Sequence, residues 1–571
     1  MACREQILSE DYAEILLDYT GLVDSGQYPG LCTEVIDDQF LIVYVNRAQL
    51  PPINVTNYTY MSIPKVYGLM QAGTETPRGN YDPINLIRTG ILQMQRPPLS
   101  LTGKGVVVGF VDTGIRYESE VFRREDGSSR ILSIWDQTIQ DGTPPAGFSY
   151  GTEYTNEQIN EALKSANPRQ IVPSTDEIGH GTQAASVAAG SDVGYGRSFL
   201  GAAPDADIVM VKCKQAKQYL KDYYFIPDGV ASYADSDIGM AIKYLEGFAI
   251  VTKRPVVICI GMGTNWGDHA GNSILSRYLN RIADKRNRAV VVCGGNEGNA
   301  GHHFYSFVTP ESTQMTEIVE VRVAAEEPGF VMELWGDAPN IFSVSIRSPG
   351  GEIIPTIDFR TRETRNFSFI YEKTRLTLDH ILVEQRSGEE LIVFRFSDPT
   401  PGIWTIYVTI EGENNYGAMN MWLPITQFLR AETVFLRSIP NLTLTEPSLA
   451  SEVITPSSYN AVNNSFYINS GRGFSRAGAV KPDFAAPGVN VSTVLGAQSG
   501  ASMSASITAG ATAQFFQWAV IDGNEPLAQS NEIKTYFRRG AVRDLDTFYP
   551  NRLWGYGRLN IADTFERIAG V

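Results

Sequence analysis

VVVGFVDTGI runs from Val106 to Ile115, an apolar run that delivers a single carboxylate, Asp112, and then turns at a glycine. Such a run, with no polar alternation, fits a strand buried on both faces. The same texture returns downstream in ADIVMVKC, PVVICIG and AVVVCGG. Between these runs lie the helix-like segments HGTQAASVAAG, DSDIGMAIKYLEGFA and SILSRYLNRIADKRN. The alternation predicts an α/β core in which a parallel sheet is covered by helices on both faces. Open sheets of this kind place their sites at the carboxyl ends of strands, where Asp112 stands.

Outward from this core the texture changes twice. Between His303 and Phe428 the runs EIVEVRVA, GFVMELWG, IFSVSIRS, LIVFRFSD and IWTIYVTIEG are separated by SPGGE and DPTPG turns with no helical stretch. This predicts an inserted all-β domain, a sandwich or jelly roll, at 303–428. Residues 1–71 form a small α+β unit in which YAEILLDYTG and DQFLIVYVN are strand-like, followed by an exposed linker, AGTETPRGNYDP. The α/β domain then comprises 72–302 and 429–571. A length of 571 residues accommodates these three units.

A formal charge of −16 disfavours a nucleic-acid partner. The N-terminus lacks a basic segment followed by an apolar one, and no apolar run reaches spanning length, so neither export by a signal peptide nor a membrane partner is expected. Cys3, Cys32, Cys213, Cys259 and Cys293 are widely spaced and read as reduced core residues.

Three further residues stand at strand-to-helix junctions of the same core. His180 opens an Ala-rich helix in EIGHGTQAASVAAG, Asn296 follows a strand in VVVCGGNEGN, and GASMSASITAG, Gly500 to Gly510, offers Ser502, Ser504 and Ser506. Taken singly, Asp112 reads equally as a turn residue, His180 as an ordinary helix start, and the serine as an N-cap. Together they fill complementary roles. A serine hydroxyl needs an imidazole to accept its proton, and the imidazole needs a carboxylate to hold its tautomer. A side-chain amide can bind the resulting oxyanion.

These boxes, with GAAPDA after the His box, KPDFAAPG before the Ser box and WGYGRLN near the C-terminus, resemble those of the subtilisin-like serine proteases, the subtilases. The resemblance implies a subtilisin-like parallel sheet flanked by helices. It implies an endopeptidase with Asp112 as orienting carboxylate, His180 as base then acid, Ser502 as nucleophile, and Asn296 with the Ser502 amide as oxyanion hole. Ser504 and Ser506 become helix residues, standing where alanine and proline are usual, and Ala501 stands where threonine is usual. The substrate would lie as an extended strand along Gly261, Met262 and Gly263 and along Gly294 and Gly295.

The N-terminal unit resembles a subtilase propeptide, a chaperone and inhibitor removed by autocleavage, with the cut near Met70, Gln71 or Ala72. Its partners would be a polypeptide substrate and its own propeptide. No cofactor is implied and no metal is assigned; His269, His302 and His303 read as solvated loop residues. SRILSIWDQT, YGTEYTNEQINEAL and the β insert are similar to cytoplasmically made subtilases of spore-forming anaerobes, including germination proteases that activate a cortex-lytic hydrolase zymogen. Spore association follows as an expectation. The alternative is a non-catalytic or weakly catalytic signalling or binding protein on the same scaffold.

Overall fold

A computed structural model describes residues 3–19, 31–76, 81–191, 199–308, 316–357, 361–411 and 416–570. Its central sheet has the order Arg288–Val292, Val256–Ile260, Val107–Asp112, Asp207–Lys212, Ile131–Asp136, Thr152–Thr155. The first five strands are parallel and the last is antiparallel. Alternate residues of Val107–Asp112 face two cores. Val108 and Phe110 pack with the helices His180–Ala189 and Ala501–Phe516, whereas Val107 and Val111 pack with Asp235–Thr252 and Ile274–Ala283. Small residues allow the first helix pair its close approach: a Cβ on Gly510 would lie 2.7 Å from the Ala188 carbonyl oxygen and 2.3 Å from Ala202 Cβ.

The N-terminal unit is a helix, Arg4–Leu8, and an antiparallel sheet in the order Tyr12–Asp18, Phe40–Asn46, Cys32–Val35. Leu16, Phe40, Ile42 and Tyr44 share a core with Tyr244 and Tyr278 of the helices beneath. Cys3 and Cys32 depart from expectation, being joined in a disulfide with their Cα atoms 5.5 Å apart. Their sequence separation of 29 hid a proximity that only the folded sheet creates. Cys213, Cys259 and Cys293 are free and buried.

Two antiparallel sheets of six and five strands face each other over one apolar core between His303 and Phe435. The strand Val434–Phe435 pairs with Val321 and Arg322, carrying this unit past residue 428. His269, His302 and His303 are not solvated but buried. His269 and His303 both stack on the buried Trp422, at ring separations of 4.0 and 4.6 Å, and His302 Nδ1 lies 2.7 Å from Glu297. They fill the seam between insert and α/β domain, and burial depresses the His269 pKa to about 4 and the His303 pKa to about 3. Among the described residues no helix is long and apolar enough to cross a membrane.

Candidate active site

Asp112 ends its strand at the carboxyl edge of the sheet, and His180 begins the helix that follows the neighbouring connection. Asp112 Oδ1 accepts a hydrogen bond from Thr113 N–H and lies 2.7 Å from His180 Nδ1, with both side chains buried. Asp176, missed in the sequence, organises this junction. Its carboxylate accepts from Thr113 Oγ1, Gly179 N–H, and both the N–H and hydroxyl of Thr182. It lies four residues before His180, outside the N-cap position held by Gly179, so no capping signal in the sequence marks it. Burial opposes charging of His180, but the charge and hydrogen bond of Asp112, with Asp176 behind it, hold the ring's pKa above its ordinary 6.5.

Ser502 lies in the first turn of Ala501–Phe516, after Gly500, whose φ of 138° suits glycine alone. Gly261 shows how the three side chains converge. A Cβ there would lie 2.8 Å from His180 Cε1, 3.2 Å from Asp112 Oδ2 and 3.4 Å from Ser502 Cβ. His180 Nε2 is buried and has no hydrogen-bond partner among the described residues. Asn296 Oδ1 accepts from Ala501 N–H at 3.0 Å, while its Nδ2, also buried, has none. Ser504 and Ser506 point elsewhere: Ser504 Oγ is 2.7 Å from Ser458 Oγ, and Ser506 Oγ donates to the Ser502 carbonyl.

The protein's own chain runs past these side chains. Val66–Leu69 forms the middle strand of a three-stranded sheet, antiparallel to Met262–Gly263 on one side and Ser232–Ala234 on the other. Met70 N–H donates to the Gly261 carbonyl at 2.9 Å. The Met70 carbonyl oxygen accepts from Ser502 N–H at 3.2 Å and from Ser502 Oγ at 2.9 Å. Beyond Gln71 the chain continues as Ala72–Thr76, paired with Gly496–Ser499, so this part of the expected linker is a strand. Linker residues 77–80 lie outside the described residues.

The second strand paired with Val66–Leu69 is Ser232–Ala234. Gly294 and Gly295 do not pair with it, and offer their carbonyls to Thr445 N–H and Gly471 N–H. Nothing in ASYADSD marks it as that second strand, because its partner strand is some 166 residues away, at Val66–Gly68. Tyr67, Leu69 and Met70 are buried. A cavity of about 330 Å³ flanks Met70, Gln71, Asn296 and Gln427. Among the described residues no group of three or more His, Cys, Asp or Glu side chains could hold a metal ion.

On this sheet, a helix-start hydroxyl beside a carboxylate-paired imidazole defines the subtilisin-like class of serine peptidases. The chain belongs to the subtilase family, whose model matches residues 103–354 and 411–557. It is similar to the CspB protease of Clostridium perfringens, 28% identical with a TM-score of 0.76, over 85% of this chain and 97% of that one. It is also similar to two subtilisin-like proteases of Arabidopsis thaliana. For SBT3.3 the identity is 32% over 217 residues, 35% of this chain and 26% of that protein. For SBT3.5 it is 32% over 125 residues, 19% and 16% of the respective lengths. The chain thus spans about a quarter or less of the curated relatives it matches.

Proposed function

We propose that this protein is a serine endopeptidase that first cuts its own chain between Met70 and Gln71. The observation that carries this reading is the Met70 carbonyl, bound by the Ser502 N–H with the Ser502 hydroxyl beside it. Ser502 Oγ attacks the Met70 carbonyl carbon while His180 Nε2 takes its proton, and Asp112 stabilises the imidazolium. The carbonyl oxygen becomes an oxyanion held by Ser502 N–H and the free Nδ2 of Asn296. Collapse breaks the bond to Gln71, whose nitrogen receives the proton from His180. An ester joins Ser502 to Met70. Water, deprotonated by His180, then hydrolyses the ester and leaves Met70 as a carboxylate.

In this reading residues 1–70 are a propeptide and the β unit is an inserted jelly roll that clamps it. Mass spectrometry of the purified protein tests the cut. Wild type should yield a chain beginning at Gln71, and Ser502→Ala should stay whole; an uncut wild type would sink the proposal.

We further propose that the mature enzyme cuts a second polypeptide, the zymogen of a spore cortex hydrolase, after synthesis in the cytoplasm and packaging in the spore. The likeness to the CspB protease of Clostridium perfringens supports this choice. Incubating the enzyme with such a zymogen should yield a discrete, Ser502-dependent fragment.

A further inference from the structure

Gly68 lies two residues before Met70 on the groove strand, paired with Ser232 on one side and Gly263 on the other. Its φ is not in the left-handed region, so its backbone does not demand glycine. Space does. The chain leaving the β insert passes directly over it. A Cβ on Gly68 would lie 1.6 Å from Gln427 Nε2, 2.7 Å from Gln427 Cδ and 2.7 Å from Ile425 Cδ1. Gln427 Nε2 is buried without a hydrogen-bond partner. Its amide is the movable end of a half-buried side chain, but Ile425 is 1% exposed and belongs to the main core. Gln427 can swing aside only in part of the problem; Ile425 must repack.

We propose that Ile425 and Gln427 form a steric filter that favours glycine two residues before the residue whose carbonyl is attacked. The filter acts on the propeptide and on any second substrate threaded through the same groove. The selected class is an extended polypeptide with a large ring, a glycine and two apolar residues before the cut, as Tyr67, Gly68, Leu69 and Met70 are here. The inference rests on the groove assignment proposed above. It adds to that assignment a specificity element supplied by the β insert and not by the α/β domain.

Processing of the full chain in cell-free translation, sampled over time, tests it. Gly68→Ala should slow appearance of the residue 1–70 fragment by about tenfold or more, the usual penalty of forcing a methyl into filled space. Adding Ile425→Val and Gln427→Ala removes the three clashing atoms and should restore processing of the alanine chain to within about threefold of wild type. Restoration is required whether the alanine acts by slow cleavage or by misdocking of the strand. Gly68→Ala processed at the wild-type rate, or slowed without rescue, would overturn the filter. Wild type that is never processed would instead overturn the groove assignment itself.

Discussion

Asp112, His180 and Ser502 acquire their chemistry from partners. Without a carboxylate at Nδ1, an imidazole in so buried a site would resist the charge it must carry during catalysis. Asp112→Asn keeps the shape but loses that charge and the tautomer it selects, and should lower the processing rate about 10⁴-fold, read by pulse-labelling and mass spectrometry. Asn296→Ala removes one of the two proposed oxyanion donors and should cost about 10²- to 10³-fold. A rate within threefold of wild type for either variant would contradict the proposed roles. Among the three serines of Gly500 to Gly510, only Ser502 faces a carbonyl from outside its own helix and the strands packed on it. Its neighbours bond to Ser458 and back to the Ser502 carbonyl.

At the scale of the element, the helix start at His180 is set by Asp176, whose four hydrogen bonds tie the strand-end Thr113 to the first helical turn. Asp176 also contributes to the elevated His180 pKa. Under the proposed mechanism the neutral ring is the base, so activity should rise with pH through the His180 pKa, on a limb above the ordinary 6.5. Asp176→Asn removes a charge that favours the imidazolium. Its pH–rate limb should move to lower pH, and the lost charged hydrogen bonds should lower stability by about 2 kcal/mol. An unmoved limb would show Asp176 to be structural only. The strand Val66–Leu69 illustrates a different dependence. It is a strand because Ser232–Ala234 and Met262–Gly263 border it, with few cues in VYGLM itself.

Across the whole molecule, the N-terminal unit is gripped from two sides. Arg277 of the α/β domain and Arg386 of the insert both pair with Asp18. Tyr60 donates to Glu333 of the insert at 2.7 Å and meets Trp335 edge to face at 5.5 Å. Glu333 also accepts from Gly267 N–H and Trp335 Nε1, so three donors share one buried carboxylate. Under the proposed cleavage, the body of residues 1–70 should stay docked and co-elute with the enzyme on size exclusion, while its end, Val66–Met70, must leave the groove before a second substrate enters. Glu333→Ala leaves those donors unpaired and should weaken retention by at least about tenfold, since a buried orphaned donor costs about 1–3 kcal/mol. Release of the fragment by wild type under the same conditions would contradict the clamp.

Local pattern was enough to find the core strands, the junctions holding Asp112, His180, Asn296 and Ser502, and the change of texture into the β insert. Each is written in contiguous residues, where apolar runs, glycine turns and small-residue helices follow directly from burial and backbone sterics. What pattern did not disclose depends on residues far apart in the chain. Asp176 lies outside the N-cap position, and its link to Thr113 required the fold. The Ser232–Ala234 edge, the Cys3–Cys32 bridge, the histidines stacked on Trp422 and the placement of Ile425 and Gln427 over Gly68 carry no local signature. Contiguous residues dictate which side chains meet at the sheet's edge, because strand and helix ends bring them there. What lies beside Ser502, and how tightly, turns instead on the packing of three units against one another, which no local stretch encodes.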